Sequence, residues 1–235
     1  MRYKFLSFLI VLLFFIRCKD APENNPKKEV LKTAPKDAVK VDSTSIEKAN
    51  TVFKLTEENS IDFFFEYSKD LEVDKVKITT SLGSFTIQLY DKVPYHKANF
   101  IYLTRKGYFN KTQFHRVVKN FIIQGGNSDD KQTAKKRSDI GRYLLPPDTK
   151  KGYKHDRGTV SMPSSEINNP HMLASPFEFF IVTTKPGSYH LDGEYTPFGK
   201  VIQGMQVVDK INNVAVGKGD WPSINVYIEK AVVLE

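Results

Sequence analysis

Two polar side chains stand on an otherwise apolar pair of strands in FHRVVKNFIIQGG, residues 114–126: Arg116 on the first strand and Gln124 on the second. Phe114, Val117, Val118, Phe121, Ile122 and Ile123 are enough to bury such a segment, Lys119–Asn120 supplies a turn, and Gly125–Gly126 closes it. A guanidinium or a primary amide costs free energy to bury without partners, so these two groups read as functional. Other chemistries lack their residues. The five histidines (His96, His115, His155, His171 and His190) show no H-E-x-x-H spacing, and the single cysteine, Cys18, makes neither a zinc set nor an internal disulfide. No metal and no cofactor is expected. There is no G-x-S-x-G for a hydrolase nucleophile, and Gly125–Gly126 lacks the Lys-Ser/Thr of a phosphate loop.

The elements that must position Arg116 and Gln124 read mainly as strands. VKITT (76–80) and FTIQLYD (85–91) form a hairpin, with Phe85, Ile87 and Leu89 alternating against Thr86, Gln88 and Tyr90. Pro94 starts a helix through Lys106, with Ala98, Ile101 and Tyr102 to one side, and Gly107 stops it. After the hairpin at 112–126 come GTVSM (158–162), FEFFIVTT (177–184), YTPFGKV (195–201), a second helix GMQVVDKINN (204–213) and VYIEKAVVL (226–234). Many short strands with turn signals and two helices predict a closed β-barrel capped by helices. Before it, residues 51–75 read as an extension in which Thr56 caps a short helix docked on the barrel, its Ile61, Phe64 and Phe65 on one face.

The N-terminus has a different character. MRYK is basic, and FLSFLIVLLFFI (5–16) is an apolar run too short to span a bilayer, which takes about 20 helical residues. Residues 1–17 therefore read as an export signal, with Cys18 resembling the acylated cysteine of a bacterial lipoprotein. Residues 18–50 hold three prolines, mixed charges and no aromatic residue, which predicts a disordered tether. The expected location is the cell envelope, membrane-anchored, facing the periplasm or the outside. The net charge of +8 does not point to nucleic acid: nine Lys or Arg against three Asp fall between Lys131 and Arg157, without interleaved aromatics beyond two tyrosines. That stretch reads as a solvated basic loop.

Taken together and in order, FHRVVKNFIIQGG, GTVSM, EFFIVT, HLDGEYTPFGKV and GMQVVDKI resemble the cyclophilin family of peptidyl-prolyl isomerases, from about Val76 to Glu235 with an insertion at 127–157. The resemblance implies a closed eight-stranded antiparallel barrel capped by two helices, and an activity that speeds rotation about Xaa-Pro bonds. That rotation must break amide resonance, a barrier of ~20 kcal/mol. Arg116 matches the family's catalytic arginine, whose fixed cation favours the twisted amide over either planar form. Gln124 matches a glutamine that contacts the substrate backbone and helps hold the guanidinium, and Phe121 completes the catalytic set. Ile122, Phe180 and Leu191 match the hydrophobic pocket, and Pro163, Ser164, Glu178, His190 and Tyr195 fall at substrate-binding positions. Four of these depart from the family pattern. His190 stands where some members have tryptophan, Tyr195 where some have histidine, Pro163 at a usual alanine, and Glu178 at a usual glutamine. A carboxylate at 178 could pair with Arg116 or repel an incoming carbonyl. The expected partners are unfolded or proline-exposing polypeptides, met by a monomer. The alternative is a proline-peptide binding module or envelope chaperone with little catalysis.

Overall fold

The computed structural model describes residues 53–164 and 168–235; the apolar run, Cys18 and the tether over 18–50 lie outside the described residues. The described chain runs α1 (Ser60–Lys69), β1 (Lys75–Thr80), β2 (Gly83–Leu89), α2 (Pro94–Arg105), β3 (Gln113–Val118), β4 (Ile122–Asn127), α3 (Lys131–Ile140), β5 (Thr159–Met162), β6 (Phe179–Val182), β7 (Thr196–Gln203), α4 (Met205–Asn212) and β8 (Ile228–Leu234). The strands form one antiparallel sheet in the order β3-β4-β6-β5-β7-β2-β1-β8. Period-two alternation survives in β1, where Val76, Ile78 and Thr80 face inward.

The sheet curls but does not close, which corrects the expected barrel. Its edges, β3 and β8, lack a continuous ladder. They meet through a bridge of Gln113 with Tyr227 and through bonds from Phe114 N–H to Val226 O (2.9 Å), Lys111 N–H to Ile228 O (2.7 Å) and Ile228 N–H to Thr112 O (2.8 Å). This contact ends where β3 carries a bulge, between Phe114 and Arg116. A bulge bends its strand, and β3 leaves the β8 edge there.

Four α-helices are present among the described residues, one more than the two caps and the short helix of the extension that the sequence predicts. α2 drives Phe100 into the main core, its ring centroid 4.9 Å from Phe109, 5.1 Å from Phe198 and 5.5 Å from Phe179. α4 buries Val207, Val208 and Ile211. The helix α3 lies in the segment that reads as a solvated loop. Asp130 caps it by accepting the Gln132 N–H at 2.8 Å, and Lys136 Nζ ties it to the carbonyls of Asn110 (2.6 Å), Gly107 and Tyr108 (3.3 Å each). Beyond it Tyr143 and Leu145 enter the main core, and Tyr143 donates its hydroxyl to Asn99 Oδ1 at 2.7 Å. The basic residues coat a packed element.

Ahead of the sheet, α1 begins at Ser60, not just after Thr56. Asn59 precedes it, and its Oδ1 accepts the Thr56 N–H at 2.8 Å without capping the helix. The buried face is also rotated from the expected one. Phe64 is fully buried and Phe63 packs edge-on against Tyr102 of α2 at 5.1 Å, whereas Phe65 is 49% exposed. Each helical residue turns 100°, so with Phe63 and Phe64 both facing Tyr102 of α2 the next residue swings outward. Leu55 joins this segment to the end of α3: its N–H donates to Ile140 O (2.8 Å) and its carbonyl accepts from Arg142 N–H (2.9 Å). No helix among the described residues is long and apolar enough to cross a membrane.

Candidate active site

The β3–β4 hairpin carries the first part of the site. Asn120 at its turn has φ 56°, and α4 clamps it through Asn212, which is buried. Asn212 Oδ1 accepts the Asn120 N–H (2.9 Å), while its Nδ2 donates to the carbonyls of Val118 (2.9 Å) and Ile122 (3.2 Å). In register, Phe114 pairs with Gly125 and Arg116 with Gln124, so the bulge falls at His115. That extra residue changes which side chains share a face. Phe114 and Val117 go to the core, while His115 and Arg116 both line a groove. The glycine pair has a local cause: Gly126 sits at φ 99°, and a Cβ there would overlap the Phe177 carbonyl.

The groove has a volume of about 690 Å³. It brings together Arg116, Phe121, Gln124, Ile122, Pro163, Ser164, Glu178, Phe180, Leu191 and Tyr195, ten of the residues singled out from the sequence. His190 is not part of its lining; it stacks on Phe121 from outside, ring centroids 5.4 Å apart at 24°. Cys18 lies outside the described residues. The apolar end is a cluster of its own, separate from the main core: Ile122, Phe180, Val182 and Leu191, with Val118, Phe121 and Tyr195 against it. Tyr195 meets Phe180 edge-on at 5.5 Å. Behind Phe180, His155 stacks at 6.1 Å and is held by Asp192 Oδ1 (2.8 Å from Nδ1) and Ser161 Oγ (3.0 Å from Nε2). This Ser-His-Asp order is no nucleophile relay, because Ser161 and His155 are both fully buried. Burial lowers the His155 pKa, partly offset by Asp192, so the ring stays neutral as backing for the pocket.

The polar end is organised around Glu178. Gln124 Nε2 donates to its Oε2 at 2.9 Å and Asn127 Nδ2 to its Oε1 at 3.1 Å. His115 Nε2 lies 3.4 Å from Oε2, and Arg137 Nη2 lies 3.3 Å from Oε1. Burial favours the neutral acid, but the His115 bond and charge, the Gln124 amide and the Arg137 charge outweigh it and hold the carboxyl below the ordinary glutamate range. Glu178 therefore does not pair with Arg116. The Arg116 Nε lies 3.5 Å from Asp220 Oδ2, both side chains 43% exposed. Gln124 is engaged by Glu178 in place of the guanidinium. An exposed pair is worth about 0–1 kcal/mol, which steers Arg116 without immobilising it. Asn127, Arg137 and Asp220 escaped the sequence reading, and His115 entered it only as one of five histidines without metal-ligand spacing. The arrangement sets a cation and an amide, opposite each other across two strands, beside an apolar pocket. Among the described residues no group of three His, Cys, Asp or Glu could hold a metal ion.

The sequence profile of the family described as cyclophilin type peptidyl-prolyl cis-trans isomerase/CLD matches residues 75–233. The chain belongs to this family. Its cyclophilin domain has relatives named as enzymes. Peptidyl-prolyl cis-trans isomerase CYP18-1 of Arabidopsis thaliana is 35% identical over 160 residues, covering 67% of this chain and 94% of that protein. Peptidyl-prolyl cis-trans isomerase-like 2 of Rhizopus delemar is 36% identical over 168 residues, covering 71% of this chain but only 30% of that longer protein. Among solved structures, a cyclophilin type peptidyl-prolyl cis-trans isomerase of Cryptosporidium parvum, crystallised in the presence of the dipeptide Ala-Pro, is 29% identical with a TM-score of 0.57, covering 68% of this chain and 99% of that one.

Proposed function

We propose that the groove binds Xaa-Pro segments of polypeptide chains and accelerates their cis-trans rotation, with Arg116 as the catalytic cation. The observation that carries this reading is the placement of Arg116 and Gln124, paired across β3 and β4, on one groove with an apolar cluster that the main core does not use. Phe121, Ile122, Phe180, Leu191 and Tyr195 hold the proline ring, and Pro163, Ser164 and Glu178 shape the wall beside it. As the amide twists, its nitrogen loses conjugation and gains a lone pair. A donor that meets this lone pair binds the twisted state better than either planar state, and that difference is the catalysis. Gln124 accepts a substrate N–H through the amide oxygen that Glu178 leaves open. The Ala-Pro dipeptide used with the Cryptosporidium parvum relative supports proline peptides as ligands.

The wider role follows from the N-terminus. The basic cap, the apolar run, Cys18 and the proline-rich tether support an envelope protein, anchored by lipid at Cys18, that assists folding of exported chains as a monomer. Two experiments test the proposal. Titration with an Ala-Pro peptide should shift the backbone amide signals of Phe121 and Leu191; shifts confined to residues 131–157 would overturn the site. Labelling with a fatty-acid analogue in a bacterial host should disappear in Cys18→Ala, and undiminished labelling would remove the anchor.

A further inference from the structure

Four donors converge on the carboxylate of Glu178, and the only one carried by α3 is Arg137. We propose that Arg137 is a positioning residue for substrate binding: by neutralising Glu178 it keeps that carboxylate as the acceptor for Gln124, and so fixes which way the Gln124 amide faces the groove. This rests on the groove being the substrate site.

A primary amide has two orientations of nearly equal shape, with donor and acceptor exchanged. An ionised Glu178 accepts only, so it selects the orientation in which Gln124 donates to it at 2.9 Å. The Gln124 oxygen is then presented to a peptide N–H. A neutral or displaced carboxyl would no longer choose, and a substrate would meet the wrong half of the amide part of the time. The side chain of Glu178 is only 16% exposed, and a buried carboxylate stays charged only when it is neutralised and hydrogen-bonded. Asn127 and Gln124 bring no charge. The titratable or charged groups that face Glu178 are His115 on β3, Tyr108 after α2, and Arg137 on α3. Of these only Arg137 is a permanent cation at any working pH. It is also held in place: its Nε donates to the Tyr108 hydroxyl at 2.8 Å and its guanidinium lies 5.3 Å from the Phe177 ring centre.

The test is a double-mutant cycle in the purified full chain, using a short Xaa-Pro peptide as substrate. Arg137→Ala should raise KM about threefold to tenfold, the size of one lost hydrogen bond, with kcat changed less than about twofold. Arg137→Lys should recover part of that loss. In a Glu178→Gln background there is no charge left to neutralise, so adding Arg137→Ala should change KM by less than about twofold. Equal losses in both backgrounds would make Arg137 a packing residue and overturn the inference, as would an unchanged KM in Arg137→Ala alone. If the unmodified protein does not accelerate the peptide, the catalytic reading has failed and the coupling is judged separately. The same cycle is then read from the Kd of an Ala-Pro peptide, with the same pattern for and against.

Discussion

Acidification should destabilise the cyclophilin domain through one histidine that takes no part in the groove. His96 lies on α2, fully buried, and neither of its ring nitrogens meets a protein donor or acceptor. Burial alone pushes its pKa down from 6.5 to about 3. The folded protein keeps the ring neutral, while the unfolded chain takes up a proton below about pH 6.5. Stability contributed by the neutral ring is therefore complete above pH 6.5, falls as the pH falls, and is fully lost below about pH 3. Each pH unit inside that window removes about 1.4 kcal/mol, so the loss between pH 7 and pH 4.5 is roughly 2.7 kcal/mol. His155 and the acidic groups titrate over part of the same range, which a comparison with His96→Leu cancels. Urea unfolding at the two pH values should show the variant losing about 2–3 kcal/mol less than the parent. Equal losses in the two proteins would refute the burial argument for His96.

Three further outcomes follow from named contacts. Asn212→Ala removes all three bonds that clamp the β3–β4 turn; thermal unfolding should show a loss of about 1–3 kcal/mol, and kcat/KM should fall because Phe121 is freed. Leu191→Ala opens the apolar pocket, so KM for a proline peptide should rise about tenfold or more by lost burial, measured by steady-state kinetics. Gly141 has φ 131° and a Cβ there would overlap the Leu55 carbonyl; Gly141→Ala should release the Leu55 segment, seen as faster hydrogen exchange at Leu55 and Arg142 with the β-sheet amides unchanged.

Much of the site was legible because polarity stood out against an apolar background. Arg116 and Gln124 were conspicuous on strands that had no packing use for them, and period-two alternation located β1 and β2. The bulge was not legible, since the adjacent polar pair HR interrupts the alternation without saying which residue is the extra one, and only the register with Gly125 and Gln124 places the bulge at His115, which then shares the groove with Arg116. Glu178 was noticed as a departure, but its partner Arg137 lies 41 residues away in a lysine-rich run with no visible apolar stripe. Only Thr133 and Ile140 of α3 are buried, too few to signal an amphipathic helix. Asp220 meets Arg116 through tertiary folding alone, with no local signal. Closure of the barrel failed as an expectation because strand count does not determine whether the last edge pairs with the first in a continuous ladder.

The most direct test of the central claim is the cis-to-trans rate of a short Xaa-Pro peptide with the purified protein, measured beside Arg116→Ala. The account predicts acceleration by the parent and a fall of at least about tenfold in the variant, equivalent to about 1.4 kcal/mol of lost transition-state stabilisation. Acceleration that survives loss of the guanidinium would take the catalytic role from Arg116. No acceleration by the folded parent would contradict the account outright, leaving a groove that holds proline peptides without turning them.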